Sequence, residues 1–293
     1  MSIRVLVSSL CLVLAPGLSH ALVNAGNPGG NLTAPTGQDG QPEDPGFANV
    51  LMIRGGTGVY LGNGWVLTAR HVNPKWLMLD GQQVLAADAI DKSYSFKTAE
   101  LKLFRLKEER DLPVVRIASA PPAPGQEIVM IGGGRASQDH FSFWQVNQTT
   151  TPWTWTQMPD QQGANAAGIL VVEKQNAISW GTNRISAQMH NGHLGELLIT
   201  DFSDKPGERT AFEAQAVSYD SGGPIFTRTA SGWELVGIMV TVAQLYPGQP
   251  GIVQPEGGGP QFIGSGLFGN LTLAVNLVPY REEILKVTGL DDE

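Results

Sequence analysis

Cysteine is almost missing from this chain: one in 293 residues, Cys11, inside an apolar stretch near the N-terminus. No disulfide can brace the folded part, so its stability has to come from buried apolar cores. Charge is also scarce, at 16% Asp, Glu, Lys and Arg, against 42% hydrophobic residues. That balance excludes an intrinsically disordered chain. Positive charge is the scarcer sign, with 19 Lys and Arg against 27 Asp and Glu and a formal net charge of −8. No basic cluster exists to neutralise a phosphate backbone, so nucleic acid is excluded as an expected partner. Long apolar runs are missing too. The longest, residues 5–14, falls short of the roughly 20 residues that a membrane-spanning helix needs.

That short run has the make-up of a secretory signal. Arg4 precedes it, Pro16-Gly17 breaks it, and Ser19-His20-Ala21 fits a small-x-small cleavage site. Residues 1–21 are read as a signal peptide, and the protein as secreted or periplasmic, without a membrane anchor in its mature form. Glycine (36) and proline (19) are plentiful. They separate short apolar runs at residues 50–53, 59–61, 65–69, 101–106, 128–131, 197–200, 224–227 and 233–242, the pattern of antiparallel β-strands joined by turns. Residues 22–46, rich in Gly, Pro, Asn and Asp, are expected to form an extended arm. Ala118-Ser-Ala-Pro-Pro-Ala-Pro-Gly125 reads as the joint between two β-rich halves, residues 47–120 and 121–293. Residues 147–190, which contain the apolar run 169–172, are expected to be loop insertions on a hairpin. Residues 276–287 are expected to be an amphipathic helix with Leu277, Tyr280, Ile284 and Leu285 on one face.

Two motifs carry chemistry. Serine is a poor nucleophile unless a base takes its proton. Asp220-Ser221-Gly222-Gly223-Pro224 puts a serine on a glycine turn between apolar strands. Leu67-Thr68-Ala69-Arg70-His71 puts a histidine at the end of the apolar strand Trp65-Val66-Leu67. Taken singly, the first is a β-turn and the second an exposed histidine. Together they form a nucleophile and base in His-then-Ser order. An acid must orient the base. Glu100, opening the alternating stretch Glu100-Leu-Lys-Leu-Phe-Arg-Leu106, is the candidate, with Asp91 and Asp88 as alternatives. The other histidines lack such a setting. His190 and His193 flank Asn191-Gly192, which reads as a turn rather than a metal site, so no metal is expected. Gly132-Gly133-Gly134-Arg135 lacks the Lys-Ser/Thr of a phosphate loop and reads as a barrel turn. Trp153 and Trp155, two apart on one strand face, read as packing residues.

At these positions the chain resembles the trypsin-like (chymotrypsin-fold) serine peptidases, and in particular their bacterial secreted members. Residues 67–71 match that family's LTAAH, 100–106 its D-[IL]-x-L-[LF]-[RK]-L, and 220–224 the end of its GDSGGP. The likeness covers about residues 47–287 and is weakest over 147–195. It implies an all-β protein of two six-stranded antiparallel β-barrels with a C-terminal helix. It also implies a monomer that hydrolyses peptide bonds of a protein or peptide substrate through an acyl-enzyme, without a cofactor. His71 would be the base, Glu100 its orienting acid and Ser221 the nucleophile. The N–H groups of Tyr219 and Ser221 would hold the oxyanion, and Asp220 would support their loop. Gln215 would form the base of the substrate pocket, and Val240, Thr241 and Val242 its wall. An uncharged base and two β-branched wall residues imply a preference for small or neutral side chains over basic ones.

Four features depart from the family pattern. Tyr219 replaces a glycine in the oxyanion loop, Glu100 replaces Asp, disulfides are absent, and the Ile-Val-Gly-Gly activation sequence is absent. Cleavage after Ala21 would expose an apolar terminus, Leu22-Val23-Asn24-Ala25-Gly26. Two expectations stand for it: pairing of the new terminus with Asp220, or packing of the arm on the surface. Tyr219 and Glu100 also leave open a binding protein of the same fold with an impaired site. The lack of Gly-x-Ser-x-Gly around Ser221 and of alternating helices ranks an α/β-hydrolase esterase below both readings.

Overall fold

The computed structural model describes residues 21–27, 30–87, 93–175, 177–243, 248–249, 252–253, 261–262 and 265–291. Residues 1–20 of the expected signal, and the alternative acids Asp88 and Asp91, lie outside them.

In the first half, strands pair antiparallel in the order Gln82–Val84, Leu77–Leu79, Val50–Ile53, Gly56–Gly62, Trp65–Ala69, Leu101–Arg105 and Ser93–Ser95. Asn63 and Gly64, both at positive φ (49° and 77°), turn Gly56–Gly62 into Trp65–Ala69, as a tight hairpin requires. Beyond Val84 the sheet closes on itself. Ala86 bridges Leu106, Ala87 N donates to Arg105 O, and Lys107 N donates to Leu85 O, both at 2.8 Å. The first half is therefore a barrel of six strands, with Ser93–Ser95 added along its edge. In the second half, Ser179–Asn191, Gly195–Asp201, Leu271–Asn276, Gly232–Ala243, Pro224–Thr229 and Glu127–Gly132 form a closed six-stranded barrel. The all-β, two-barrel plan stands, with residues 118–126 free of strand between the barrels.

One apolar core runs through the first barrel and into the interface. Leu51, Ile53, Leu67, Leu101 and Leu103 of the first half join Val129, Ile131, Phe226 and Ile238 of the second. The second barrel keeps its own core of Ile128, Met130, Leu198, Ile225, Val236 and Ala274, into which Leu22 inserts. Each fully buried Leu, Ile, Val or Phe contributes about 1.5–3 kcal/mol, which gives a disulfide-free chain its stability.

Three expectations are corrected. Residues 147–190 carry far more strand than a hairpin with loop insertions. Thr154–Met158, Ala166–Gln175 and all but the last residue of the long strand Ser179–Asn191 occupy much of that stretch. The first two join Ser142–Asn147, Arg135–Ser137 and Ser265–Leu267 in a separate five-stranded sheet. It buries a small cluster of Trp144, Val146 and Leu267, against which Trp153 and Trp155 pack, and its Ile169 and Val171 join a second one with Val23, Phe202 and Val217. The terminal helix is shorter than expected: Leu271–Asn276 is strand, Val278–Tyr280 a 3₁₀ turn, and the α-helix is Arg281–Thr288. Gly289, at φ 66°, ends it in the left-handed conformation typical after a helix. The arm, finally, does not begin on the surface. Leu22 and Val23 are completely buried, and Val23–Asn24 pairs with Ala214–Gln215.

Candidate functional site

His71 follows the strand Trp65–Ala69, and Glu100 immediately precedes Leu101–Arg105, its hydrogen-bonded neighbour. The register Ala69↔Leu101 brings the two residues together. Glu100 Oε1 accepts from His71 Nδ1 at 3.0 Å and from the His71 backbone N–H at 2.9 Å. Its second oxygen, Oε2, takes Arg70 Nη2 at 2.7 Å. The Glu100 side chain is 11% exposed and the His71 side chain 50%, so the acid is covered while the imidazole faces the cleft. The extra methylene of Glu is accommodated because Arg70 fixes the far oxygen and leaves the near one on the ring. Sequence reasoning missed Arg70. Nothing in the motif itself gives it a partner, and only strand register reveals what it touches.

Ser221 lies in the same cleft, of about 540 Å³, with His71, Glu100, Leu194, Ala216, Val217, Ser218, Met239, Val240, Thr241 and Val242. Its Oγ donates to Val240 O at 3.3 Å. Among the described residues it makes no hydrogen bond to His71. Thr57 N donates to Ser221 O at 2.8 Å, which pins the nucleophile loop to the first barrel. Gly222 is at φ 91°, and a Cβ there would run into Thr57 O, so glycine is required.

The loop's peptide groups are individually anchored. Ser218 O accepts from Arg135 N at 2.8 Å, and Asp220 O accepts from Gly223 N at 2.8 Å. In a trans peptide the N–H points opposite to the C=O. The N–H groups of Tyr219 and Ser221 are therefore turned away from these partners. Among the described residues neither N–H is taken by another protein group. Tyr219 itself stands at φ 77°, the left-handed conformation that glycine would adopt freely. Its carbonyl accepts from Thr57 Oγ1 at 2.9 Å.

Asp220 is completely buried. Val217 N and Gly134 N each donate to its carboxylate at 2.8 Å. The backbone N–H of Leu22 is its third donor. Burial pushes its pKa up to about 7, against the pull of these three hydrogen bonds. The run Gly132-Gly133-Gly134, expected to be a plain turn, has a reason for its composition. A side chain at Gly132 or Gly134 would collide with the Asp220 carboxylate.

The wall residues Val240, Thr241 and Val242 line the cleft. Gln215 does not. It is 1% exposed, its strand pairs with Val23, and its Nε2 donates to Ala216 O at 3.1 Å. Strand alternation turns Gln215 away, so Ala216 and Met239 line the cleft instead. His190 and His193 lie at a hairpin end. Asn191 Oδ1 accepts from His193 N and Leu194 N (2.9 and 3.0 Å), and His190 pairs with Glu196.

No family model matches the chain, and no curated protein matches it. Many solved structures are similar to it, three of them as follows. Rv3671c from M. tuberculosis H37Rv, in an inactive form, is 12% identical with a TM-score of 0.47, over 84% of this chain and 89% of that one. Mouse neuropsin, a serine protease, is 16% identical with a TM-score of 0.47, over 83% and 95%. Kallikrein-related peptidase 10 is 14% identical with a TM-score of 0.46, over 83% and 96%. The two-barrel architecture stands on this chain's own strand order.

Proposed function

We propose that the chain is a serine endopeptidase, exported and freed of residues 1–21. His71 takes the proton of Ser221, Glu100 holds the imidazole with its proton on Nδ1, and Ser221 Oγ attacks the scissile carbonyl. Rotation about the Ser221 Cα–Cβ bond carries the hydroxyl from Val240 O toward His71. The N–H groups of Tyr219 and Ser221 receive the oxyanion. The proton then passes from His71 to the leaving amine, and water repeats the sequence on the acyl-enzyme.

One observation carries this reading. A single Glu100 oxygen meets both the ring Nδ1 and the backbone N–H of His71, in a cleft that also holds Ser221. A binding protein with an impaired site would have no need of that alignment.

The cleft supports a preference for small or neutral side chains. Val242 and Val240 narrow it, and Glu100, covered by Arg70 and His71, is its only lining carboxylate among the described residues. The mature chain is expected to turn over Ala- and Val-type p-nitroanilides faster than Arg-type ones. Faster turnover of the Arg substrates would contradict this assignment of the pocket.

The Leu22 contact supports activation by signal cleavage. In the uncut chain Leu22 is held at φ 55°, a costly conformation for a bulky residue, while its amide faces Asp220. Cutting the Ala21–Leu22 bond removes the constraint on φ and turns that amide into an ammonium beside the carboxylate.

A further inference from the structure

We propose that Arg135 is a positioning residue that holds Tyr219, and with it the oxyanion donor, in the left-handed conformation. This rests on the serine-hydrolase reading above and adds a residue that neither the sequence motifs nor that mechanism uses.

Arg135 is an unusual cation. It is 6% exposed, and among the described residues no carboxylate lies within ion-pair distance of it. Its Nε and Nη1 are buried without acceptors. A buried, uncompensated charge is destabilising, so a contact found nowhere else should account for its presence. That contact is Tyr219. The guanidinium carbon stands 4.6 Å from the centre of the Tyr219 ring, and Nη2 donates to Tyr219 Oη at 3.1 Å. The backbone of the same arginine donates to Ser218 O at 2.8 Å. Arg135 thus grips both sides of the 218–219 peptide, whose N–H is the proposed oxyanion donor. On the other side Thr57 Oγ1 holds the Tyr219 carbonyl, and the ring lies beside Gly55.

The physical problem this solves is specific to tyrosine. A side chain at φ 77° is disfavoured, and the relaxed alternative rotates the peptide and withdraws its N–H. With glycine at 219 no clasp would be needed. The arginine's job should therefore exist only while Tyr219 is present, which separates positioning from general packing.

The test is a double-mutant cycle on the N-terminally mature chain: Arg135→Met, in the parent and in the Tyr219→Gly background. In the parent, kcat for an Ala-type p-nitroanilide should fall about tenfold, the size expected for losing one ring–cation contact and one hydrogen bond. KM should stay nearly constant. In the Tyr219→Gly background Arg135→Met should change kcat less than about twofold, because glycine pays no left-handed strain. Arg135→Lys should recover part of the loss. No loss in the parent, or an equal loss in both backgrounds, would overturn the proposal. A readout independent of turnover accompanies the cycle: the three-bond HN–Hα coupling of Tyr219 in selectively labelled protein. It should change in Arg135→Met, and an unchanged coupling would also overturn the inference. A parent chain without any serine reactivity would instead point to failure of the hydrolase reading, and the coupling would still decide the role of Arg135.

Discussion

Glu100→Gln is expected to lower turnover near neutral pH by on the order of 10⁴-fold while leaving the fold intact, because it reverses the tautomer of the catalytic histidine. Arg70 decides which way the new amide turns. Its guanidinium, 2.7 Å from Oε2, needs an acceptor, so the Gln carbonyl oxygen faces Arg70. The amide nitrogen then faces His71, where Oε1 now accepts from both Nδ1 and the backbone N–H. Two donors would meet a donor. The imidazole relieves the clash by moving its proton to Nε2, the nitrogen that should accept from Ser221. Glu100→Asp keeps the charge and shortens the reach, so its loss should be smaller. Turnover of an Ala-type p-nitroanilide, with thermal unfolding as the control for folding, checks this. Activity of Glu100→Gln within tenfold of the parent would remove Glu100 from the site.

A chain starting at Ala21 instead of Leu22 is expected to lose about 10²–10³ of its rate, the usual effect of disabling one oxyanion donor. One extra residue keeps the Leu22 nitrogen an amide and leaves Asp220, completely buried, without a cation. The loop that carries Tyr219 and Ser221 then loses its charge pair. The same extension should appear in the pH dependence of stability. With only amide donors, the folded Asp220 pKa is about 7, above its ordinary value of 3.8. Between those values the folded state binds more protons than the unfolded one. Stability therefore falls as pH rises through that window, by on the order of 4 kcal/mol from this group. In the chain that begins at Leu22, the ammonium favours the carboxylate and lowers that pKa, so the decline should shrink or reverse. Urea midpoints of both forms across the window, with Asp220→Asn as reference, measure the difference. Identical rates and identical pH slopes would contradict pairing of the terminus with Asp220.

What the sequence made legible follows from which contacts are local. Trp65-Val66-Leu67 and Leu101–Arg105 announce strands by alternation, and their motifs end at His71 and begin at Glu100. The nucleophile turn is legible because Gly222 is the residue such a turn requires. The five-stranded sheet around Thr154–Met158 was not legible. Its apolar positions are completed from far along the chain: Trp144 and Val146 by Leu267, and Ile169 and Val171 by Val23, Phe202 and Val217. Arg70, Gly132, Gly134 and Arg135 were equally hidden. Each matters through a partner brought in by strand register or loop packing: Glu100 for Arg70, Asp220 for the glycines, Tyr219 for Arg135. The burial of Leu22 depends on a barrel core built from residues more than a hundred positions later.

Whether Ser221 is an activated nucleophile is tested most directly by labelling the purified mature protein with a fluorophosphonate probe, followed by mass spectrometry of the modified peptide. A single adduct on Ser221 is expected, lost in both Ser221→Ala and His71→Ala, with both variants folded. Folded protein that takes up no label, or labelling of Ser221 that persists without His71, would contradict an activated serine at this site.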